Sequence, residues 1–463
     1  MKIQYTLKRI YTVSLGALLL SALHSCENLL DVNTPVSQTG SEQVFESVGT
    51  ADAALSHLYT EIQAYSLLNG GSGGAGALLG AYTDDLISYD VYSQNGDMDI
   101  YQNVQGPSNI SIKGVWTNAY SEIYTANAII NGVEKSTGIG EDDRRRIKGE
   151  ALFVRTLIYY YLNQLFGDIP YTATTDYTVN QMLKKIPSAE VQLKIQEDLY
   201  SAAALLNDEY RNPERIYPNR KTAELLLATV LMTRQQYATA EALLRGIIQS
   251  PLYQWQPAVQ ETFKKNGQHI LWQLKPLYPT QATNEVLLYY FESAHPTMYT
   301  LSDHLITSFS AGDLRKQWWT KEITVEQTAY YRADKYTRIF DNTDEYSIVF
   351  RLEEAYLLLA EALAQQGKLS EALPYLNAVK AKAGIPHVAP SVTKEQLLDE
   401  ILAENRKEFF TERGIRFTTL KRMNRLSDLT SHKPNWKAHH QVWPLPFSEL
   451  SLNPNLNPQN NGY

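Results

Sequence analysis

Three stretches of this chain repeat one arrangement of small and large apolar residues, and that recurrence limits the fold more than any other feature. The first runs from Trp116 to Val133 and resumes from Arg144 to Phe166, where Ile147, Ala151, Val154, Leu157, Ile158, Tyr161 and Leu165 form a single stripe. The second starts near Lys221: Leu227, Ala228 and Leu231 precede Tyr237, Ala240, Leu244 and Ile247, with a short connector at Gln235. In the third, Leu359, Ala360 and Leu363 precede Gly367, Ala372, Leu376 and Val379. An amphipathic helix has to bury its stripe, and two joined by a short turn bury theirs against each other as an antiparallel pair. Alanine lets the two backbones approach while leucine, tyrosine and valine fill the grooves beside it.

The pattern fits loose tetratricopeptide-type hairpins, with pairs near 116–166, 221–249 and 350–382 separated by long irregular insertions. The expected fold is therefore mainly α, a broken helical-repeat scaffold; the alternative is an irregular all-helical packing. Further helices are expected from Ser47 to Leu68 and from Ser391 to Thr411, the latter opened by Ser391 or Thr393. The glycine-rich run Asn69 to Gly76 must interrupt the first of these. It has neither the ending nor the glycine spacing of a phosphate loop. Phe166-Gly167-Asp168-Ile169-Pro170 should stop a long helix, because Gly167 frees the backbone and Pro170 cannot continue the ladder.

The only cysteine, Cys26, follows the apolar run Ile10 to Leu23, which itself follows the basic start around Lys8 and Arg9. That run is short for a permanent membrane span and suits a signal peptide. Residues 1–25 are expected to be a lipoprotein signal, Cys26 the acylated residue, 26–43 a polar tether and 44–463 the body. With Cys26 consumed by lipid no internal disulfide can form, so stability must come from packing.

A formal charge of −8 gives no broad positive field, which argues against nucleic acid as a partner. There is no HExxH, compact histidine cluster or GxSxG elbow. Asp97 and Asp99 stand close in sequence but lack the remaining ligands of a calcium loop. No metal or cofactor is expected, and no catalytic residue. The 31 tyrosines and seven tryptophans are a different matter, since many lie in polar sequence where an aromatic face can stack on a sugar. One such surface lies between Tyr82 and Trp116, with Asp84, Asp85, Tyr89, Tyr92, Asn95, Tyr101, Asn103 and Trp116. A second insertion offers Trp272, Tyr278, Tyr289, Tyr290, Tyr299, Trp318 and Trp319. Glu404, Glu408, Glu412, Arg413 and Arg416 form a charged cluster whose spacing of three and four residues suits ion pairs locking successive turns, a structural clamp rather than a catalytic pair.

Four segments, in order, carry a resemblance to the SusD/RagB family of nutrient-binding outer-membrane lipoproteins. They are Phe166 to Pro170 after a long helix, Arg351-Leu352-Glu353-Glu354-Ala355-Tyr356 through Ala362, Glu404 through Arg422, and Trp443-Pro444-Leu445-Pro446 followed by Asn453 to Asn460. Within the third, Asn405 and Thr419 stand where arginine and aspartate would be less surprising, and loss of the carboxylate at Thr419 is expected to weaken the salt bridges. The resemblance implies a mainly helical scaffold of tetratricopeptide-like pairs whose insertions carry the ligand, and a terminal Asn/Pro-rich coil. It also implies a non-catalytic role as hinged lid of a SusC-like TonB-dependent outer-membrane barrel, capturing an oligosaccharide at the cell surface and delivering it for import. A peptide-binding lid of the same class, a lipid-anchored hydrolase and a structural adaptor are the alternatives.

Overall fold

The computed structural model describes residues 44–90 and 95–463; Cys26, the tether and Tyr92 lie outside the described residues. The body, Phe45–Tyr463, is mainly α-helical. After α1 (Val48–Tyr65) and α2 (Ala75–Tyr82) come the two longest helices among the described residues, α3 (Ile110–Lys135) and α4 (Glu141–Phe166), joined by the short segment 136–140. Next are α5 (Ser188–Leu205), then the pairs α6 (Arg220–Thr233) with α7 (Tyr237–Ile248) and α8 (Leu352–Gln365) with α9 (Leu369–Lys382), and finally α10 (Lys394–Phe409) and α11 (Ile415–Arg422). The three pairs fall where the apolar stripes repeat. Their inward residues, among them Ala151, Leu157, Leu227, Leu244, Leu359 and Leu376, join one continuous core.

The ends of these helices follow from local chemistry. Gly167 stops α4 at φ +72, its N–H donating to Asn163 O, a conformation that costs glycine nothing and other residues about 1 kcal/mol. Asp168 then accepts from Ser188 N at 2.8 Å, at the start of α5, and Pro170 O accepts from Tyr120 Oη at 2.8 Å. Thr393 opens α10 with a capping box to Gln396. The terminal Asn/Pro-rich segment includes helical turns at Phe447–Leu452 and Pro454–Leu456 and is not coil throughout. It is clipped to the end of α4, with Asn460 Nδ2 donating to Phe166 O and Trp443 O at 2.8 and 2.7 Å.

The insertions build a second, smaller core around Leu86, Phe263, Val286, Tyr299, Leu305, Trp319 and Phe410. Over it lies an antiparallel sheet in the order β1 (Leu86–Ser88), β3 (Tyr299–Leu301), β5 (Thr328–Ala333), β4 (Thr320–Val325). In register, Leu86 faces Leu301, Ser88 faces Tyr299, and Leu301 faces Tyr331. A separate ladder joins β2 (Ile270–Leu274) to β6 (Ser347–Arg351), which leads directly into α8.

Between the two cores lies a layer of buried charge. Arg315 reaches Glu404 at 2.8 Å and Glu408 at 3.2 Å, Arg351 reaches Glu408 at 2.6 Å and Glu412 at 3.0 Å, and Lys335 reaches Glu412 at 2.5 Å. The cations also lie over aromatic rings, Lys335 over Phe410 and Arg351 over Phe409. Only the Lys407–Glu404 pair follows the three-residue spacing inside α10. The cluster therefore ties distant elements rather than successive turns, because the carboxylates point away from their own helix into the seam. Burial pushes Glu404 and Glu408 up, but the surrounding cations, chiefly Arg315 for the first and Arg351 for the second, outweigh it and hold both below the usual carboxylate range. Arg416 leaves this layer and pairs with Asp84 at 3.1 Å.

Thr419 does not leave a broken salt bridge. Its hydroxyl donates to Asn405 Oδ1 at 3.2 Å, both residues being buried, so a neutral hydrogen-bonded pair occupies the two unusual positions together. With neither charge present, no partner is stranded.

Candidate functional site

The sheet brings the two aromatic insertions to one place. Tyr89 extends β1, its N–H donating to Met298 O at 2.8 Å, and β5 lies on the other side of β3. As a result the Tyr89 ring meets the ring of Tyr330, centroids 5.9 Å apart and nearly perpendicular. Phe291 and His295, from the segment that precedes β3, meet Tyr330 edge-on at 6.4 and 5.9 Å. Edge-to-face packing fixes a ring while leaving face area open, and Tyr89, Phe291 and Tyr330 are all half-buried.

Polar groups ring this cluster. His295 Nδ1 lies 3.1 Å from Tyr330 Oη, and its Nε2 lies 3.4 Å from Glu326 Oε2. Tyr290 Oη donates to Glu292 Oε2 at 3.1 Å. Beneath Tyr290 the guanidinium of Arg332 sits 4.4 Å from the ring centre and donates to Phe291 O at 2.7 Å. The arrangement offers aromatic faces to C–H groups and hydroxyl, imidazole and carboxylate groups to hydroxyls, which is the chemistry a sugar requires.

The other residues expected from sequence divide by burial. Trp272, Tyr289, Tyr299 and Trp319 are packed inside and have no face to present; Trp272 lies on a strand buried along its whole length, and Trp319 Nε1 donates to Val259 O. Asn103 is also interior, donating to Tyr82 O at a positive-φ turn. Asp84 and Asp85 are buried too and hold Arg406, at 3.1 and 2.7 Å. Aromatic content in polar sequence misplaced these residues because the insertions have a core of their own to fill. Tyr278 and Trp318 are exposed but stand outside the Tyr330 cluster's ring contacts. Asn95 is exposed and ties its turn to Ser108 O at 2.6 Å, while Tyr101 is half-buried under the Lys433 ammonium. Tyr330, Phe291 and His295 were not anticipated. The doublet Tyr330-Tyr331 in β5 was the available signal, since strand alternation turns one of two adjacent rings outward.

Trp116 has a different setting. It is buried against Tyr120 and Phe166 at the floor of a groove of about 720 Å³, whose rim includes Tyr124, Tyr177, Met182 and Leu452. The amides in this groove are largely spent on its own walls: Asn127 donates to Thr172 O, Asn453 to Leu183 O and Asn455 to Met182 O. Among the described residues, no group of three or more His, Cys, Asp or Glu could hold a metal ion.

Two family models account for most of the chain. One, described as starch-binding and associating with the outer membrane, matches residues 37–232, and that of the SusD family matches 254–463. The chain belongs to the SusD/RagB family. SusD-like protein P2 of Formosa agariphila is 25% identical across 98% of this chain and 99% of its own length. Among solved structures, a SusD superfamily protein from Bacteroides vulgatus superposes with a TM-score of 0.78 at 19% identity, covering 90% of this chain and 100% of the other. A laminarin-binding SusD-like protein does so with a TM-score of 0.76 at 20% identity, covering 90% and 99%. At these identities the solved structures establish the SusD fold.

Proposed function

We propose that this SusD-family protein captures an oligosaccharide at the Tyr89–Tyr330 face and hands it to a SusC-like TonB-dependent barrel, without chemistry of its own. The meeting of both aromatic insertions at Tyr330, ringed by His295, Glu326 and Glu292, is the observation that carries this reading. A solved relative that binds laminarin makes β-glucan the first ligand to try. The same reading places residues 1–25 as a signal peptide and Cys26 as the lipid-bearing residue, so that acyl chains hold the body on the outer membrane.

Calorimetric titration with laminarin-type and starch-type oligosaccharides tests the capture step. Saturable binding of at least one glycan, weakened tenfold or more by Tyr330→Ala with the fold intact, is the expected outcome. Binding of peptides alone, or a glycan affinity that ignores Tyr330, refutes the assignment. For the anchor, the full chain should take up radioactive fatty acid and Cys26→Ala should not.

A further inference from the structure

The glycine-rich turn that follows α1 roofs a cavity of about 250 Å³. Its walls are largely apolar, formed by Leu67, Leu78, Val115 and Ile158 among others, with Tyr65 exposed beside them. Into it projects Glu122 of α3, only 3% exposed, whose Oε1 is buried with no hydrogen-bond partner. The groups facing Glu122 do not help it. From α1 comes Glu61, whose Oε2 is also buried and unpartnered and whose Oε1 meets His57 only at 3.7 Å. Across the cavity stands Asp97, already accepting from Ser111 Oγ, and from α4 comes Tyr161, whose hydroxyl donates away to Arg413 O. No lysine or arginine lines the space.

We propose that this cavity is a binding site for a protonated amine carried on an apolar stem, with Glu122 as its counter-ion and the leucine-rich wall as the seat of the stem. A buried carboxyl left without a partner costs roughly 1–3 kcal/mol or more, so its presence points to a partner from outside the chain. A metal ion is a poor fit, because no three ligating side chains converge among the described residues. A neutral hydroxyl would supply one hydrogen bond; an ammonium group supplies a hydrogen bond and the charge that lets Glu122 ionise beside Glu61.

The glycines support the same reading. Gly73 and Gly114 both line the cavity, and a Cβ on either would meet nothing within 4 Å. Glycine inside a helix such as α3 is worth about 1 kcal/mol less than alanine, and here the space it leaves belongs to the cavity. Burial first, and Glu61 second, push the Glu122 carboxyl up to about 8. The empty site therefore holds a proton at neutral pH, and an entering ammonium displaces it. Linkage then requires affinity to rise with pH, by up to about tenfold per unit, and to level off above about pH 8.

The probes are n-pentylamine and 1-pentanol, which share a stem and differ in charge, titrated into the full body in two buffers of different ionisation heat. Pentylamine should bind saturably with a heat that depends on the buffer, pentanol at least tenfold more weakly, and Glu122→Gln should weaken the amine at least tenfold. Gly114→Leu should fold and abolish binding by filling the space; if it does not fold, Glu122→Gln alone decides. Equal binding of amine and alcohol, an amine affinity unchanged by Glu122→Gln, or no saturable binding at all overturns the proposal. Tyr330→Ala should leave amine binding unchanged, which separates this site from glycan capture.

Discussion

The helix-pair body and the sheet-built insertion solve the same burial problem by different means. In the body, stripes such as Ile147, Ala151, Val154 and Leu157 lie on one helix and meet a partner a short turn away, so each contact is local and many share the load. The insertion joins β1 in one sheet to β3 and β5, which lie more than 200 residues further along the chain, in strands of three to six residues, and backs a smaller apolar core with a seam of paired charges. The difference teaches where tolerance lies. Apolar packing degrades gradually, whereas a buried charge whose partner is removed fails abruptly.

Arg351→Met is the sharpest way to break that contrast, since it takes a cation from Glu353, Glu408 and Glu412 at once and leaves three buried carboxylates to Lys382, Arg315 and Lys335. Denaturant unfolding should show a loss of about 3–5 kcal/mol. Leu193→Ala, on the exposed side of α5, should change stability by less than about 0.5 kcal/mol. A loss at Arg351 no larger than at Leu193 would mean that the seam does not hold the two cores together.

Acid should reveal the same seam and the Asp84 pairs beside it. Glu404, Glu408 and Asp84 are pushed up by burial but held below their ordinary values by nearby partners, Arg315, Arg351 and His304 leading. Their contribution is present above the unfolded carboxylate range and disappears as pH falls through the lower folded values. Melting temperature followed from pH 6 to pH 2 should therefore fall steeply below about pH 4. Lys335 responds at the other end: burial, only partly offset by Glu412, lowers it to about 8. It costs stability as pH drops from about 10.5 toward 8 and adds no further slope below that.

The neutral pair sharpens the comparison at a single point. Thr419→Asp alone should cost about 1–3 kcal/mol, because a carboxylate would be buried against an amide that gives it no charge. Adding Asn405→Arg should recover most of that loss, and a double-mutant cycle with no coupling would show that the two positions act separately.

The helices, their pairing and their stops were legible because each is encoded within a few turns of chain. Gly167 ends α4 where the motif placed the break, and α10 begins at Thr393 as one of two anticipated starts. The charged cluster after Glu404 was legible as a cluster but not as a seam, since nothing local says that Arg315, Lys335 and Arg351 come to meet it. The aromatic residues were visible as a population. Which of them face outward was not, because β1 and β3 are too short to carry a readable alternation, and Trp318 and Trp319, adjacent in sequence, end on opposite sides of the surface.

By itself, the sequence determined a mainly helical scaffold, its paired units and the lack of any internal disulfide, because periodicity and a single cysteine are properties of the chain alone. Only the tertiary structure decided that Tyr330 is the centre of the aromatic face and that Glu122 is stranded in a cavity. Both depend on which distant segments become neighbours, and that is fixed by the balance of burial and pairing over the whole body rather than by any local pattern.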